Sequence, residues 1–179
     1  MPRQLPAPYR RRKLTTSGGA SSHTKQDDDL LLTPAGVRDL VAARAAHPSR
    51  VLGFFGRGWG GKGPPRYDYR EVPPGEAPIA LTIALLSDRA GCAATAAAAP
   101  LMDDIASTAA PRWNGEDIFH SLVNTKRTGL QPLILPSAGA WARLPSWGEG
   151  IHTATNSLRE HTAYRDTFLR AAIQRLDLS

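Results

Sequence analysis

The run IALTIALL over residues 79–86 is the strongest strand candidate of this chain, and helical patterns lie on either side of it. Residues 88–99 are rich in alanine and are predicted to be helical. A last helix is predicted over residues 157–176, with Phe168 and Leu169 facing inward. Because strands and helices occur without regular alternation, the sequence indicates an α/β or α+β domain.

Local signals mark the remaining elements. Thr33 and Pro34 predict a helix start, since threonine is a good N-cap and proline fits the first helical position. We expect this helix to bury Val37, Leu40 and Val41 along one face. Elsewhere the sequence predicts strands at 51–55 and 133–135 and helices at 100–109 and 115–124. A flexible glycine-rich loop is predicted at 56–66. Residues 30–32 either end a buried strand or lead into the helix that follows.

Length and composition limit the functional classes. With 179 residues, 41% of them hydrophobic, the chain is long enough for one domain with a sizeable core. It contains no apolar run of about 18 residues, so we expect no membrane-spanning helix. Its first residues show no apolar secretory signal. The single cysteine, Cys92, excludes an intrachain disulfide and a zinc site built from thiolates.

The positive net charge belongs to the first part of the chain. Six of the 22 basic residues lie in residues 1–26, which contain no acidic residue, and the other 16 match the 16 acidic residues of the remainder. A basic segment of this composition is typical of a disordered arm. We therefore expect a disordered arm over 1–26, a neutral domain over 27–179, and no nucleic-acid partner.

Two acidic clusters carry the chemistry that the sequence suggests. Asp27, Asp28 and Asp29 precede an apolar segment, and Glu116 and Asp117 open a predicted helix. Clustered carboxylates suit Mn²⁺ or Mg²⁺, whose coordination substrate phosphates then complete. The competing interpretation is that both clusters are solvated acidic residues in the first turn of a helix, where the helix dipole favours them.

Four segments in order carry a family resemblance. The aspartate triplet is followed by a helix and by HPSRVLGFFGR at 47–57, and then by ALTIALL at 80–86, NGEDIFHSLV at 114–123 and TGLQP at 128–132. In this order and spacing the chain resembles the exostosin-type glycosyltransferases of family 64, which have the GT-A fold. The resemblance implies an incomplete GT-A-like α/β domain (a nucleotide-diphospho-sugar transferase fold) with a mixed sheet and flanking helices.

The resemblance implies a retaining transferase that moves a sugar from a UDP-sugar donor to a glycan acceptor. In such an enzyme Asp29 would contact Mn²⁺ (or Mg²⁺), and Asp27 and Asp28 would bind the ribose or brace the site. The metal would stabilise the departing UDP as a Lewis acid. Asp117 would lie beside the anomeric carbon and the acceptor hydroxyl, and Glu116 would support it.

Further site residues follow from the same resemblance. The family places an arginine in its C-terminal helix region, near the diphosphate or the acceptor. The candidates here are Arg159 as a catalytic residue and Arg165 as a substrate-binding residue, and Arg159 alternatively lies on a solvated helix face. Arg57 either reaches a phosphate or simply borders the glycine-rich loop. Asn114 either binds substrate or caps the helix that follows it. Four tryptophans either stack on sugar rings or anchor the core, namely Trp59, Trp113, Trp141 and Trp147.

The chain also departs from the family pattern. Only 26 residues precede Asp27, so we expect most of the uridine pocket to be missing and UDP-sugar binding to be poor. The family's cysteine before Glu-Asp is Gly115 here, and the C-terminal helix has no cysteine, which fits loss of a disulfide. The resemblance implies a Golgi or endoplasmic reticulum membrane location, although this sequence shows no anchor.

Two other functions stay open from the sequence. One is a metal-dependent phosphohydrolase or nuclease that uses the same carboxylates, with His120 one helical turn from Glu116. The other is a non-catalytic module whose basic arm contacts an acidic partner.

Overall fold

The computed structural model describes residues 22–26, 30–60, 62–109, 115–143 and 158–178. These residues form a mixed α/β fold with a mixed sheet, as the sequence predicts. The helices are α1 (Pro34–Ala46), α2 (Arg89–Ala97), α3 (Ala99–Ala109), α4 (Glu116–Thr128) and α5 (Leu158–Arg175). The strands are β1 (Ser22–Gln26), β2 (Leu30–Leu32), β3 (Leu52–Gly53), β4 (Gly56–Gly60), β5 (Arg66–Glu71), β6 (Gly75–Glu76), β7 (Ile79–Ala80), β8 (Ala84–Asp88), β9 (Leu133–Ile134) and β10 (Trp141–Arg143).

The strands form three sheets. The largest has the order β1-β8-β3-β9-β6, in which β3 and β9 are parallel and the other neighbours are antiparallel. A three-stranded sheet has the order β5-β4-β7, and β10 pairs with β2. None of the helices that the structure describes is long and apolar enough to cross a membrane.

The start of α1 is as predicted, but its buried face is not. The Thr33 side chain accepts a hydrogen bond from the Gly36 amide at 3.1 Å, and Pro34 begins the helix. Leu40 is buried, whereas Val37 and Val41 are 47% and 61% exposed, so their predicted burial was wrong. The helix docks through Gly36 and Leu40 instead, because the backbone of Ala140 lies where a side chain at position 36 would begin.

The polar segment at 22–26 is a strand, although the sequence places it in the disordered arm. β1 pairs with β8 over five residues, from Ser22 opposite Asp88 to Gln26 opposite Ala84. This pairing uses backbone groups, and polar residues are common on the edge strands of a sheet. The prediction of disorder was therefore wrong for these five residues, and residues 1–21 lie outside the described part.

The first part of the glycine-rich segment, predicted as a flexible loop over 56–66, is a strand instead. This strand is β4, which pairs with β5 and places Trp59 opposite Tyr67. β4 also pairs with β7, so this hairpin is tied to the rest of the domain on its other side. The abundance of glycine misled the prediction, because ladder hydrogen bonds on both sides hold the backbone.

The single strand predicted at 79–86 is divided between two sheets. β7 pairs with β4, whereas β8 pairs with β1 and β3, and residues 82 and 83 form a turn between them. The amide of Leu81 donates to the carbonyl of Phe55 at 2.9 Å just after β7. The apolar run is thus buried throughout most of its length, but burial did not require one continuous strand.

The largest apolar cluster surrounds α4. Ile105 of α3, Phe119 and Leu122 of α4, and Phe168 and Leu169 of α5 are almost fully buried in it. The helix α4 is buried along most of its length and packs against α2, β7 and α5. This packing positions the candidate functional site.

Candidate functional site

The N-terminus of α4 presents the Glu-Asp pair that the sequence singles out. The N-cap is Gly115, whose amide donates to the Glu116 carboxylate at 3.0 Å, and no side chain caps the helix there. Glu116 is exposed, whereas Asp117 is only 5% exposed. Asn114, the predicted cap or substrate ligand, lies outside the described residues. The two acidic residues therefore face different surroundings, as neighbours on a helix do.

Asp117 forms a buried ion pair with Arg165 of α5. The Arg165 Nη2 donates to Asp117 Oδ2, and the amide of Ile118 donates to Oδ1 at 2.8 Å. Arg165 is 6% exposed, so both partners are largely removed from water. A buried carboxylate needs such a partner, because an unpaired buried charge is costly.

Tyr67 of β5 completes the surroundings of Arg165. Its hydroxyl accepts from Arg165 Nη2 at 3.1 Å, and the guanidinium carbon lies 4.2 Å from the ring centroid in a cation–π contact. Burial alone would lower the pKa of Arg165, but the Asp117 carboxylate and Tyr67 outweigh it, and the pKa is raised. Burial raises the pKa of Tyr67 despite the nearby cation, so its phenol stays protonated.

The same face of β5 carries Tyr69, which lies nearer the surface. The rings of Tyr67 and Tyr69 meet edge to face, with centroids 4.8 Å apart. The Tyr69 hydroxyl is 2.7 Å from Nδ1 of His161 in α5. Farther along α5, Asp166 accepts a hydrogen bond from the Tyr67 amide at 2.7 Å. Together with the contact between Tyr67 and Arg165, these two hydrogen bonds fix β5 against α5 beside Asp117.

Gly115 is in close contact with α5. A Cβ atom at this position would lie 2.8 to 2.9 Å from three ring carbons of Phe168, which is closer than real Cβ atoms come. Phe168 is itself almost fully buried. The N-terminus of α4 and the middle of α5 are therefore packed together without a covalent link, at the position where the resembling family has a cysteine.

This arrangement offers a fixed negative charge beside a fixed positive one. The Asp117 carboxylate is held in one orientation by the Ile118 amide and by Arg165. In surroundings that exclude water, such oriented groups act strongly on charge that develops nearby. A carboxylate of this kind stabilises a positive centre such as an oxocarbenium-like sugar, and a guanidinium binds phosphate oxygens.

The structure brings some of the predicted site residues together. Asp117 and Arg165 are in direct contact, and Glu116 is adjacent in sequence but points toward solvent. Arg57 lies in β4, half buried, and donates to the carbonyl of Gly56 at 2.8 Å. It is close enough to Tyr67 to oppose the rise in that residue's pKa.

Other predicted site residues lie outside the described part. These are Asp27, Asp28, Asp29 and Asn114, together with the side chain of Arg159. Within the described ranges no group of three or more histidine, cysteine, aspartate or glutamate side chains is arranged to hold a metal ion. Asp27, Asp28 and Asp29 lie outside these ranges, so Mn²⁺ binding at Asp29 stays a prediction.

His120 faces away from the solvent side of α4. It is fully buried, and its Nδ1 lies 2.8 Å from the Thr95 hydroxyl of α2. Thr95 Oγ1 donates to the Gly91 carbonyl, so the histidine nitrogen is the donor in this contact. Glu116 is exposed on another side of the helix, and these two residues do not share an accessible surface.

Tyr67 and Tyr69 are the site residues that sequence reasoning missed. The signal was present in the segment RYDYRE, because residues two apart on a strand point to the same face. It was hidden by the neighbouring glycines, which suggested a loop. The contact of His161 with Tyr69 was not foreseeable from sequence, because it joins residues 92 positions apart.

Comparison with known proteins gives no family assignment. No protein-family model matches the chain, and no curated protein matches it.

Proposed function

We propose that this chain is a metal-dependent glycosyltransferase domain of GT-A-like fold that transfers a sugar from a UDP-sugar to a glycan acceptor with retention. The observation that carries the proposal is the buried Asp117–Arg165 ion pair. The resemblance to exostosin-type enzymes selected the Glu-Asp segment and the C-terminal helix independently of any structure. Direct contact between these two segments, at two of the selected residues, supports the assignment.

The packing of Gly115 against Phe168 gives a second support. The resembling family has a cysteine at the position of Gly115 and a disulfide that involves it. In this chain an aromatic ring of α5 fills the space beside that position. The same two segments are therefore in contact, with apolar packing in place of a covalent bond.

In the proposed reaction Asp117 stabilises the positive charge that develops on the donor sugar as its bond to UDP breaks. Arg165 holds this carboxylate in place through the ion pair. The leaving UDP carries the electron pair of the broken bond, and the acceptor oxygen forms the new bond as its proton passes to the departing diphosphate oxygen. Arg57 is suited to the diphosphate, because a guanidinium donates several parallel hydrogen bonds to phosphate oxygens.

The aspartate triplet is the proposed metal site. Asp29 would bind Mn²⁺ or Mg²⁺, with Asp27 and Asp28 beside it, since carboxylate oxygens are the ligands these ions prefer. The bound ion would supply Lewis-acid stabilisation of the departing diphosphate. Neighbouring acidic residues bind such an ion without histidine or cysteine, and this donor set fits the proposal.

The phosphohydrolase alternative is less well supported. It relied on His120 as a further ligand beside Glu116, and His120 is fully buried against Thr95 instead. A catalytic metal needs ligands that face a space open to substrate and water. The non-catalytic alternative rests on the basic segment 1–26, of which residues 1–21 lie outside the described part.

The test is release of UDP from a panel of UDP-hexoses, UDP-N-acetylhexosamines and UDP-uronic acids at millimolar concentration with Mn²⁺. We expect metal-dependent release, faster with a glycan acceptor, and Asp117→Asn should lower it at least about 100-fold. Asp103→Asn is the matched control, because Asp103 is an exposed aspartate of α3 and its change removes the same charge. Near-ultraviolet circular dichroism checks that both variants keep native packing.

Two results would contradict the proposed function. One is the absence of Mn²⁺-dependent UDP release with every donor in the panel. The other is an equal effect of Asp103→Asn and Asp117→Asn on the rate. Metal-dependent hydrolysis of a generic phosphodiester, without UDP-sugar turnover, would favour the phosphohydrolase instead.

A further inference from the structure

Tyr69 is the most exposed aromatic side chain in the described part of the chain. It is 37% exposed, whereas Tyr67 on the same face of β5 is buried. Aromatic rings normally lie in the core, and an exposed one at the edge of a site offers a surface for a partly apolar ligand. Tyr69 therefore offers a binding surface if it lies beside the Asp117–Arg165 pair.

A continuous series of contacts connects Tyr69 to the proposed reaction centre. Its ring meets Tyr67, Tyr67 lies under the guanidinium of Arg165, and Arg165 pairs with Asp117. Burial raises the pKa of Tyr69, and both Arg165 and Asp117 act on that pKa, so the charged pair is near. The series runs from a buried carboxylate to a ring at the surface.

We propose that Tyr69 is the platform on which the acceptor sugar stacks, an inference that rests on the proposed function. The C–H face of a pyranose ring is apolar and flat enough to pack on an aromatic ring. Tyr69 is connected to the Asp117–Arg165 pair through Tyr67, so a sugar stacked on its ring would be held on the β5 side of that pair. Asp117 then acts on the donor sugar while Tyr69 holds the acceptor.

His161 serves as a positioning residue for this platform. Its Nδ1 lies 2.7 Å from the Tyr69 hydroxyl, and the two ring centroids are 5.9 Å apart. A tyrosine has only two side-chain torsions, and this bond together with the edge contact to Tyr67 fixes both. A fixed ring binds a sugar at a smaller entropic cost than a mobile one.

The experiment separates donor chemistry from acceptor binding. UDP release is measured with donor alone, which reports hydrolysis, and then with methyl pyranosides of galactose, glucuronic acid and N-acetylglucosamine as acceptors. Tyr69→Ala should raise the KM for the best acceptor about tenfold, a larger change than in the rate of donor hydrolysis. Tyr69→Trp should keep a KM near that of the wild type, because a ring is retained. Leu130→Ala is the control, since Leu130 is an exposed apolar residue just beyond the other end of α4.

The outcomes distinguish this inference from the proposed function. An unchanged acceptor KM in Tyr69→Ala, with donor hydrolysis intact, would overturn the platform and leave the transferase standing. A parallel loss of donor hydrolysis in Tyr69→Ala would also overturn it, because the residue would then support the donor or the fold. If acceptors do not stimulate UDP release by the wild-type protein, the inference is overturned. If the wild-type protein also fails to hydrolyse every donor, the proposed function is contradicted as well.

Discussion

The ring of Phe168 fills the space in which a side chain at Gly115 would begin. Three ring carbons lie 2.8 to 2.9 Å from the position of a Cβ atom there. Gly115 is the N-cap of α4, two residues before Asp117, and Phe168 is three residues after Arg165 in α5. This contact therefore sets the spacing of the two elements that carry the buried ion pair.

Gly115→Ala should destabilise the protein by about 1–3 kcal/mol, because the added methyl group forces the buried ring of Phe168 to move. The free energy of unfolding from urea denaturation measures the effect. Gly63→Ala is the matched control, since no atom lies within 4 Å of a Cβ at position 63. Adding Phe168→Leu to Gly115→Ala should recover part of the lost free energy of unfolding, because the smaller side chain leaves room for the methyl group. If the effects of the two changes on this free energy were fully additive, this packing would be contradicted.

Removing either partner of the buried ion pair should destabilise the protein. Asp117→Asn leaves the charge of Arg165 uncompensated, and Arg165→Met leaves the charge of Asp117 uncompensated. Each change should therefore lower the free energy of unfolding by about 3–5 kcal/mol. The double variant should cost clearly less than the two single changes together. A double-mutant cycle in urea measures this coupling, and a coupling near zero would show that the two side chains do not depend on each other.

An ion pair at the surface should contribute much less to stability than the buried pair does. Arg70 and Asp68 form an ion pair at 2.7 Å, but the Arg70 side chain is 89% exposed. Water and salt screen such a pair, so Arg70→Met should leave the free energy of unfolding unchanged within error.

The same surface pair makes a pH prediction. Hydrogen bonds from Arg70 lower the pKa of Asp68 to about 2. Because the pKa is lower in the folded state, any stabilisation is complete above the unfolded pKa of about 3.9 and is lost as the pH falls through about 2. Carboxyl titration by NMR measures the pKa, and Arg70→Gln should return it to the ordinary range. A pKa of Asp68 that does not respond to Arg70→Gln would contradict the assignment.

Elements with strong local signals were predictable from the sequence. The start of α1 follows from Thr33 and Pro34, whose capping bond depends only on residues within the same turn. The last helix follows from its apolar spacing, and Phe168 and Leu169 are buried as predicted. Asp117 was selected from its motif, and that selection needed no knowledge of the fold.

Features that depend on distant partners were not predictable. The polar residues of β1 gave no strand signal, because the ladder with β8 supplies the stabilisation. The exposure of Val41 depends on which side of α1 approaches Ala140. The contact between Asp117 and Arg165, 48 residues apart, depends on how α5 packs against α4. The resemblance offered Arg159 as a catalytic residue and Arg165 as a substrate-binding residue, and neither was predicted to pair with Asp117.

The central claim is that the aspartate triplet and the Asp117–Arg165 pair form one site for a metal-bound sugar nucleotide. Paramagnetic line broadening by Mn²⁺ in the presence of UDP tests it most directly. We predict that Mn²⁺ broadens the amide signals of Leu31 and Ile118 and the side-chain signal of Arg165, that Leu130 is affected far less, and that Asp29→Asn removes the effect. Broadening of Leu31 with sharp signals from Ile118 and Arg165, or no broadening at all, would contradict the claim.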